Sequence, residues 1–218
     1  FLLTILFLAV LALFSNVKAN SISKISMDIY VDNSGTAHVT ETWKCSASKG
    51  TEVYHPYYNL GNSKIQNLVV YDETQTYDTL SSWKTSGSLS SKAYKCGINK
   101  ISNGVELCWG ISQYGSHAYT VKYDITNFVS ELSDGNQMIY WTLIPYDFSN
   151  AIGSVYIKIH TTFNMTNTVN VWGYGNKGTA YVHNGYIEMD SDGTLPSSDY
   201  MTILAKFPKG TFNATNKL

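Results

Sequence analysis

Apolar and polar residues alternate at every second position through most of this chain, the signature of strands with one buried face. Ile25, Met27, Ile29 and Val31 alternate with polar neighbours. Asp32-Asn33-Ser34-Gly35 supplies turn chemistry, and Ala37, Val39 and Trp43 resume the alternation, which predicts a β-hairpin. Lys92 to Ile98 and Val105 to Ile111 predict a second hairpin around Asn103-Gly104. Residues 65–71, 117–126, 138–144, 152–163, 169–174, 179–183, 186–190 and 200–207 read as further strands. Residues 74–91 are polar and rich in Ser and Thr, so short edge strands and loops are expected there. Residues 127–133 read as one helical turn, ended by Asp134-Gly135. No segment sustains a 3.6-residue apolar period, which excludes repeated βαβ units. The expectation is an all-β fold: an antiparallel β-sandwich, immunoglobulin-like or related, forming one domain over residues 20–212 with a seam near 164–168 and a tail at 213–218. At least four of the five tryptophans are expected in its core.

The first residues change the picture from fold to location. Phe1 to Phe14 is apolar except for Thr4, and Val17-Lys18-Ala19 is an A-x-A-like cleavage site. The run is shorter than the ~20 residues that span a bilayer. Residues 1–19 are therefore read as a signal peptide, and the mature domain is expected outside the cytoplasm, at the cell surface or secreted. Charge adds exclusions: the formal net charge is −1 and no arginine is present, so neither a nucleic-acid footprint nor a polybasic membrane patch is indicated.

Candidate chemistry is sparse. Of three cysteines, Cys96 and Cys108 flank the second predicted turn and are placed to form a disulfide across it; the alternative is buried free thiols. The spacing of Glu188, Asp190, Asp192, Gly193 and Asp199 matches a calcium loop. Pro196 and the β flanks favour a solvated acidic loop instead, so no cofactor is expected. Tyr54, His55, Tyr57 and Tyr58 surround Pro56 in an aromatic run, read either as a ligand-binding platform or as cover for a sheet edge. No nucleophile elbow or metal-type His pair is present, and nothing selects a glycosidase pair among Glu41, Glu52, Glu106, Glu131 and Glu188.

Four segments in order carry a family resemblance: DNSGTAHVTETW (32–43), HAYTVKYDITN with MIYWTLI (117–127 and 138–144), VWGYGNKGTAYVHNGYIEM (171–189) and MTILAKFPKGTF (201–212). Together they resemble the N-terminal extracytoplasmic domain of bacterial predicted membrane proteins grouped as domain of unknown function 2207. The resemblance implies an external β domain tethered through transmembrane helices; here either a segment beyond Leu218 supplies the tether or this member is secreted. Where that family often carries an arginine, this chain has His55. The resemblance implies no reaction.

Three functional readings follow. The first is a non-catalytic domain with a structural or ligand-sensing role at the cell envelope, partnered by an envelope protein or a glycan. The second is a secreted carbohydrate-binding module using residues 54–58. The third is a hydrolase whose site a single sequence does not reveal.

Overall fold

A computed structural model describes residues 19–146, 148–166 and 168–217; the apolar run read as a signal peptide lies outside the described residues apart from Ala19. The described chain is nearly all β, in three sheets around one shared apolar core.

The seven-stranded sheet runs in the order β13 (Thr179–His183), β14 (Tyr186–Asp190), β11 (Val155–Thr161), β1 (Ser21–Val31), β2 (Ala37–Ala47), β8 (Gly115–Ile125) and β4 (Ile65–Tyr71). One four-stranded sheet runs β12 (Asn170–Tyr174), β15 (Met201–Phe207), β10 (Gln137–Ile144), β9 (Val129–Glu131). The other runs β3 (Glu52–Tyr58), β7 (Gly104–Gly110), β6 (Lys95–Ile101), β5 (Asp78–Leu80). Among the described residues the one short helix, α1 (Leu89–Lys92), is capped by the Ser88 side chain.

The β1–β2 hairpin shows how local chemistry builds the sheet. Asp32 Oδ1 accepts the backbone N–H groups of Ser34 (2.8 Å) and Thr36 (3.1 Å), and Gly35 adopts the positive φ of 78° that closes the turn. Register then follows from burial. Ile25, Met27, Ile29 and Val31 face inward beside Trp43, Glu41, Val39 and Ala37. A slip of one residue would turn that whole apolar set to solvent.

Three expectations are corrected. The sheets are not purely antiparallel, because β1 pairs parallel with β11 and β5 parallel with β6. The predicted helical turn at 127–133 is instead β9, whose Val129 and Glu131 pair with Ile139 and Gln137 of β10. Three tryptophans are buried, Trp43, Trp83 and Trp109, while Trp141 is half-buried and Trp172 is exposed. No helix among the described residues is long and apolar enough to cross a membrane.

Candidate functional site

Two places concentrate chemistry: a sealed polar cluster inside the core and an open cleft on the surface.

The sealed cluster grows from the pleat of β2. Glu41 falls in the inward register between Val39 and Trp43, so its carboxylate enters the core with no exposure. Three donors meet it there. Trp43 Nε1 donates at 2.6 Å, His55 Nδ1 lies 2.9–3.0 Å away, and the Tyr123 hydroxyl donates to Oε1. The other His55 nitrogen donates to the Leu143 carbonyl at 3.0 Å. Burial alone would push the Glu41 carboxyl up. The charge and hydrogen bond of His55, with the bonds from Tyr123 and Trp43, outweigh it and hold the group below its usual range. Both His55 nitrogens thus face acceptors, and the imidazole ties the carboxylate of β2 to the backbone of β10 as a buried pair.

Aromatic rings wall the pair off. His55 stacks on Tyr57 at 4.5 Å and meets Phe148 at 5.4 Å and Trp43 at 5.8 Å. Tyr57 and Tyr123 share a 2.5 Å hydroxyl contact, and burial beside the Glu41 charge drives both phenols well above their ordinary range. The cluster joins Glu41, Trp43 and Tyr123 of the seven-stranded sheet, His55 and Tyr57 of one four-stranded sheet, and the backbone of β10 in the other. Fully enclosed, it offers no contact to an outside molecule and serves as a three-sheet joint.

The pleat also disposes of the aromatic run as a platform. In β3, His55 and Tyr57 point inward, opposite Leu107 and Val105, while Tyr54 and Tyr58 take the other face. The five residues therefore do not form one exposed surface. The disulfide is likewise absent, with all three cysteines free. Cys96 stands opposite Trp109 and Cys108 opposite Gly97, which puts the two thiols on opposite faces of the sheet. In the acidic segment, Glu188 accepts hydrogen bonds from Tyr156 (2.6 Å) and His183 (2.8 Å), and Asp190 accepts from Thr179 (2.8 Å). Among the described residues no group of three or more His, Cys, Asp or Glu side chains is arranged to hold a metal ion.

The open cleft has a volume of about 620 Å³ and lies between the β6–β7 turn and the end of β10. Tyr58, Tyr140, Trp141, Tyr146 and Tyr200 supply its rings; Asn59, Ser102, Asn103 and Thr142 supply amides and hydroxyls. Among the described residues no charged side chain lines it. Trp141 is rigidly held, donating Nε1–H to the Phe128 carbonyl at 2.9 Å and stacking on the Phe128 ring at 5.3 Å. Gly104 fixes the opposing turn: a Cβ there would lie 1.9 Å from the Tyr57 carbonyl oxygen, and φ is +157°. Of the candidate site residues read from the sequence, only Tyr58 contributes to this cleft. Glu41 had a legible signal, a carboxylate at an inward position of an alternating strand. The cleft had none, because its walls come from four separated segments.

Comparison with known proteins follows this geometry. No curated protein matches the chain. Among solved structures, yeast leukotriene A4 hydrolase bound to bestatin superposes with a TM-score of 0.55 at 12% identity, over 88% of this chain and 29% of that enzyme. Native leukotriene A4 hydrolase from Saccharomyces cerevisiae gives 0.53 at 12% identity, over 88% and 30%. This chain thus spans less than a third of those enzymes, and the likeness is one of fold alone. The family described as "Predicted membrane protein (DUF2207) N-terminal domain" matches residues 21–207, from the first residue of β1 to the last of β15, and the chain belongs to that family.

Proposed function

We propose that this chain is a non-catalytic recognition domain, carried outside the cytoplasm by a membrane-tethered protein, and that the aromatic cleft is its ligand site. The observation that carries the reading is a division of labour. The hydrogen-bonded acid, imidazole and phenols of Glu41, His55, Tyr57 and Tyr123 are sealed in the core, whereas the described lining of the cleft open to solvent has rings, amides and hydroxyls and no Asp, Glu, His, Lys or Cys. A surface of that kind binds and releases. The family's description as a membrane protein supports the tether. The apolar run before Ala19, with its cleavage-site pattern, supports export.

A ligand screen read by amide chemical shifts tests the site. Hits are expected to move resonances of residues 58–59, 101–103 and 140–146 together, and Tyr146→Ala is expected to weaken them. Hits confined to other faces of the molecule would overturn the assignment. Protease accessibility of a tagged full-length protein on intact cells tests the orientation; complete protection that ends only on lysis would refute it.

A further inference from the structure

We infer that the cleft, with the sheet face beside it, binds a neutral oligosaccharide. This rests on the recognition reading above and names the chemical class of its ligand.

The outer face of the β12–β15–β10–β9 sheet is unusually aromatic. Register places Tyr140, Leu204 and Trp172 side by side across three strands, and Thr142, Thr202 and Tyr174 in the next row. Tyr140 is 59% exposed, Trp172 42% and Tyr174 45%. Neighbouring strands lie about 4.8 Å apart, so the backbones bearing Tyr140 and Trp172 are separated by roughly 10 Å, about the length of a disaccharide. A flat ring presents an electron-rich face, which suits the apolar C–H face of a pyranose.

Tyr146, also 59% exposed, and Tyr200 continue the aromatic surface into the cleft. There Asn59, Ser102 and Asn103 can both donate and accept, as vicinal hydroxyls require. A second hollow of about 290 Å³ shares Asn59, Tyr140 and Trp141 with the first and adds Asn62, Ser63 and Asn127. These shared walls make the two hollows neighbours.

Alternative ligands fit less well. A phosphorylated or acidic polymer needs a cluster of cations; the described lining of the main cleft has none, the second hollow has Lys217, which lies 3.8 Å from Glu131, and the sheet face has the single Lys206. A peptide added as an extra strand needs a free edge beside the groove. On that side of β10, β9 already covers residues 137–139 and the Leu143 carbonyl beyond it is held by His55 at 3.0 Å, so the run left open is too short for one.

Affinity electrophoresis of the purified domain in gels containing neutral β-glucan, xylan, galactomannan, galactan or soluble chitin oligomers tests the inference. Titration calorimetry with the matching hexasaccharide and with an uncharged hexapeptide completes the design. At least one glycan is expected to retard the domain. Tyr140→Ala and Trp172→Ala are each expected to weaken binding by roughly tenfold, the scale of one lost aromatic contact. Tyr181→Ala, a 43% exposed ring on the seven-stranded sheet, is expected to change nothing. All three side chains are exposed enough that an unchanged melting temperature can serve as the folding check. If no glycan binds but the hexapeptide shifts cleft resonances, the sugar assignment falls and the recognition site stands. If glycan binding survives both substitutions, the surface is wrong. If neither probe touches the cleft, both readings fail.

Discussion

Replacing Glu41 with leucine should be among the most damaging single changes in this domain. The substitution strands His55 Nδ1, the Trp43 indole N–H and the Tyr123 hydroxyl in a region with no solvent contact. Removing one partner of a buried ion pair costs about 3–5 kcal/mol. One relaxation keeps the figure from rising further: Tyr123 can turn toward Tyr57. Against a typical stability of ~5–15 kcal/mol, such a loss is a third or more of the total. Urea unfolding followed by tryptophan fluorescence should show the midpoint fall by roughly 1–2 M with the slope preserved. The double variant Glu41→Leu/His55→Leu should cost less than the sum of its parts by about 2 kcal/mol, because the second change removes the orphaned base. The pH dependence has a definite sign. Glu41 is held below its ordinary 4.5, so its contribution is present above that value and is lost as pH falls through the lower folded value. The gap between wild type and Glu41→Leu should therefore narrow in acid. A Glu41→Leu penalty under about 1 kcal/mol, or strict additivity in the cycle, would refute the three-sheet joint.

The cysteines should behave as inert apolar groups. Burial raises the thiols of Cys108 and Cys96, and takes Cys45 to about 12, so the folded domain should resist a thiol-reactive disulfide reagent at pH 8, and reductant should leave its melting temperature unchanged. Gly104→Ala should cost at least about 2 kcal/mol, because the added carbon collides with rigid backbone; it should also displace Asn103 and so weaken any cleft ligand, a change visible in the amide spectrum. His38 lies between Asp124 (2.7 Å) and Asp32 (3.2 Å); partial burial opposes its charge, but the two carboxylates prevail and raise it above 6.5. Its stabilising contribution is thus complete below pH 6.5 and disappears as pH rises through the higher folded value. For so exposed a pair this amounts to roughly 0.5 kcal/mol, so His38→Ala should flatten the stability profile between pH 6 and 8.

What the sequence disclosed and what it withheld divide along physical lines. Alternation in β1, β2 and β8 is unambiguous because Ile25, Met27, Val39, Tyr119 and Val121 are all apolar and all inward. Turn residues at 32–35 and 103–104 fixed two hairpins. The sequence could not show that β9 is a strand, since three residues are too few to display an alternation, and its backbone is held by Gly35 and Asn216 as well as by β10. Nor could it show which face of β12 is covered: Trp172 looks like a core residue until Val171 and Gly173 are seen to take the inner side. The aromatic run at 54–58 advertised a site, yet the pleat divides it between two faces. The actual cleft draws on Tyr58, the 101–103 turn, the end of β10 and Tyr200, which only tertiary pairing brings together.

The central place of β1 has a consequence for how the polypeptide reaches its native state. Its hairpin partner β2 is at hand within a few residues, but Ile25 must also wait for Val155 to lie alongside it in the same direction. Until more than half of the chain has been made, one border of that hairpin is an open row of amide and carbonyl groups beside an uncovered greasy surface. Such distant pairing makes for slow folding and a sticky nascent stage. Fragments ending before Val155 should therefore clump rather than acquire structure.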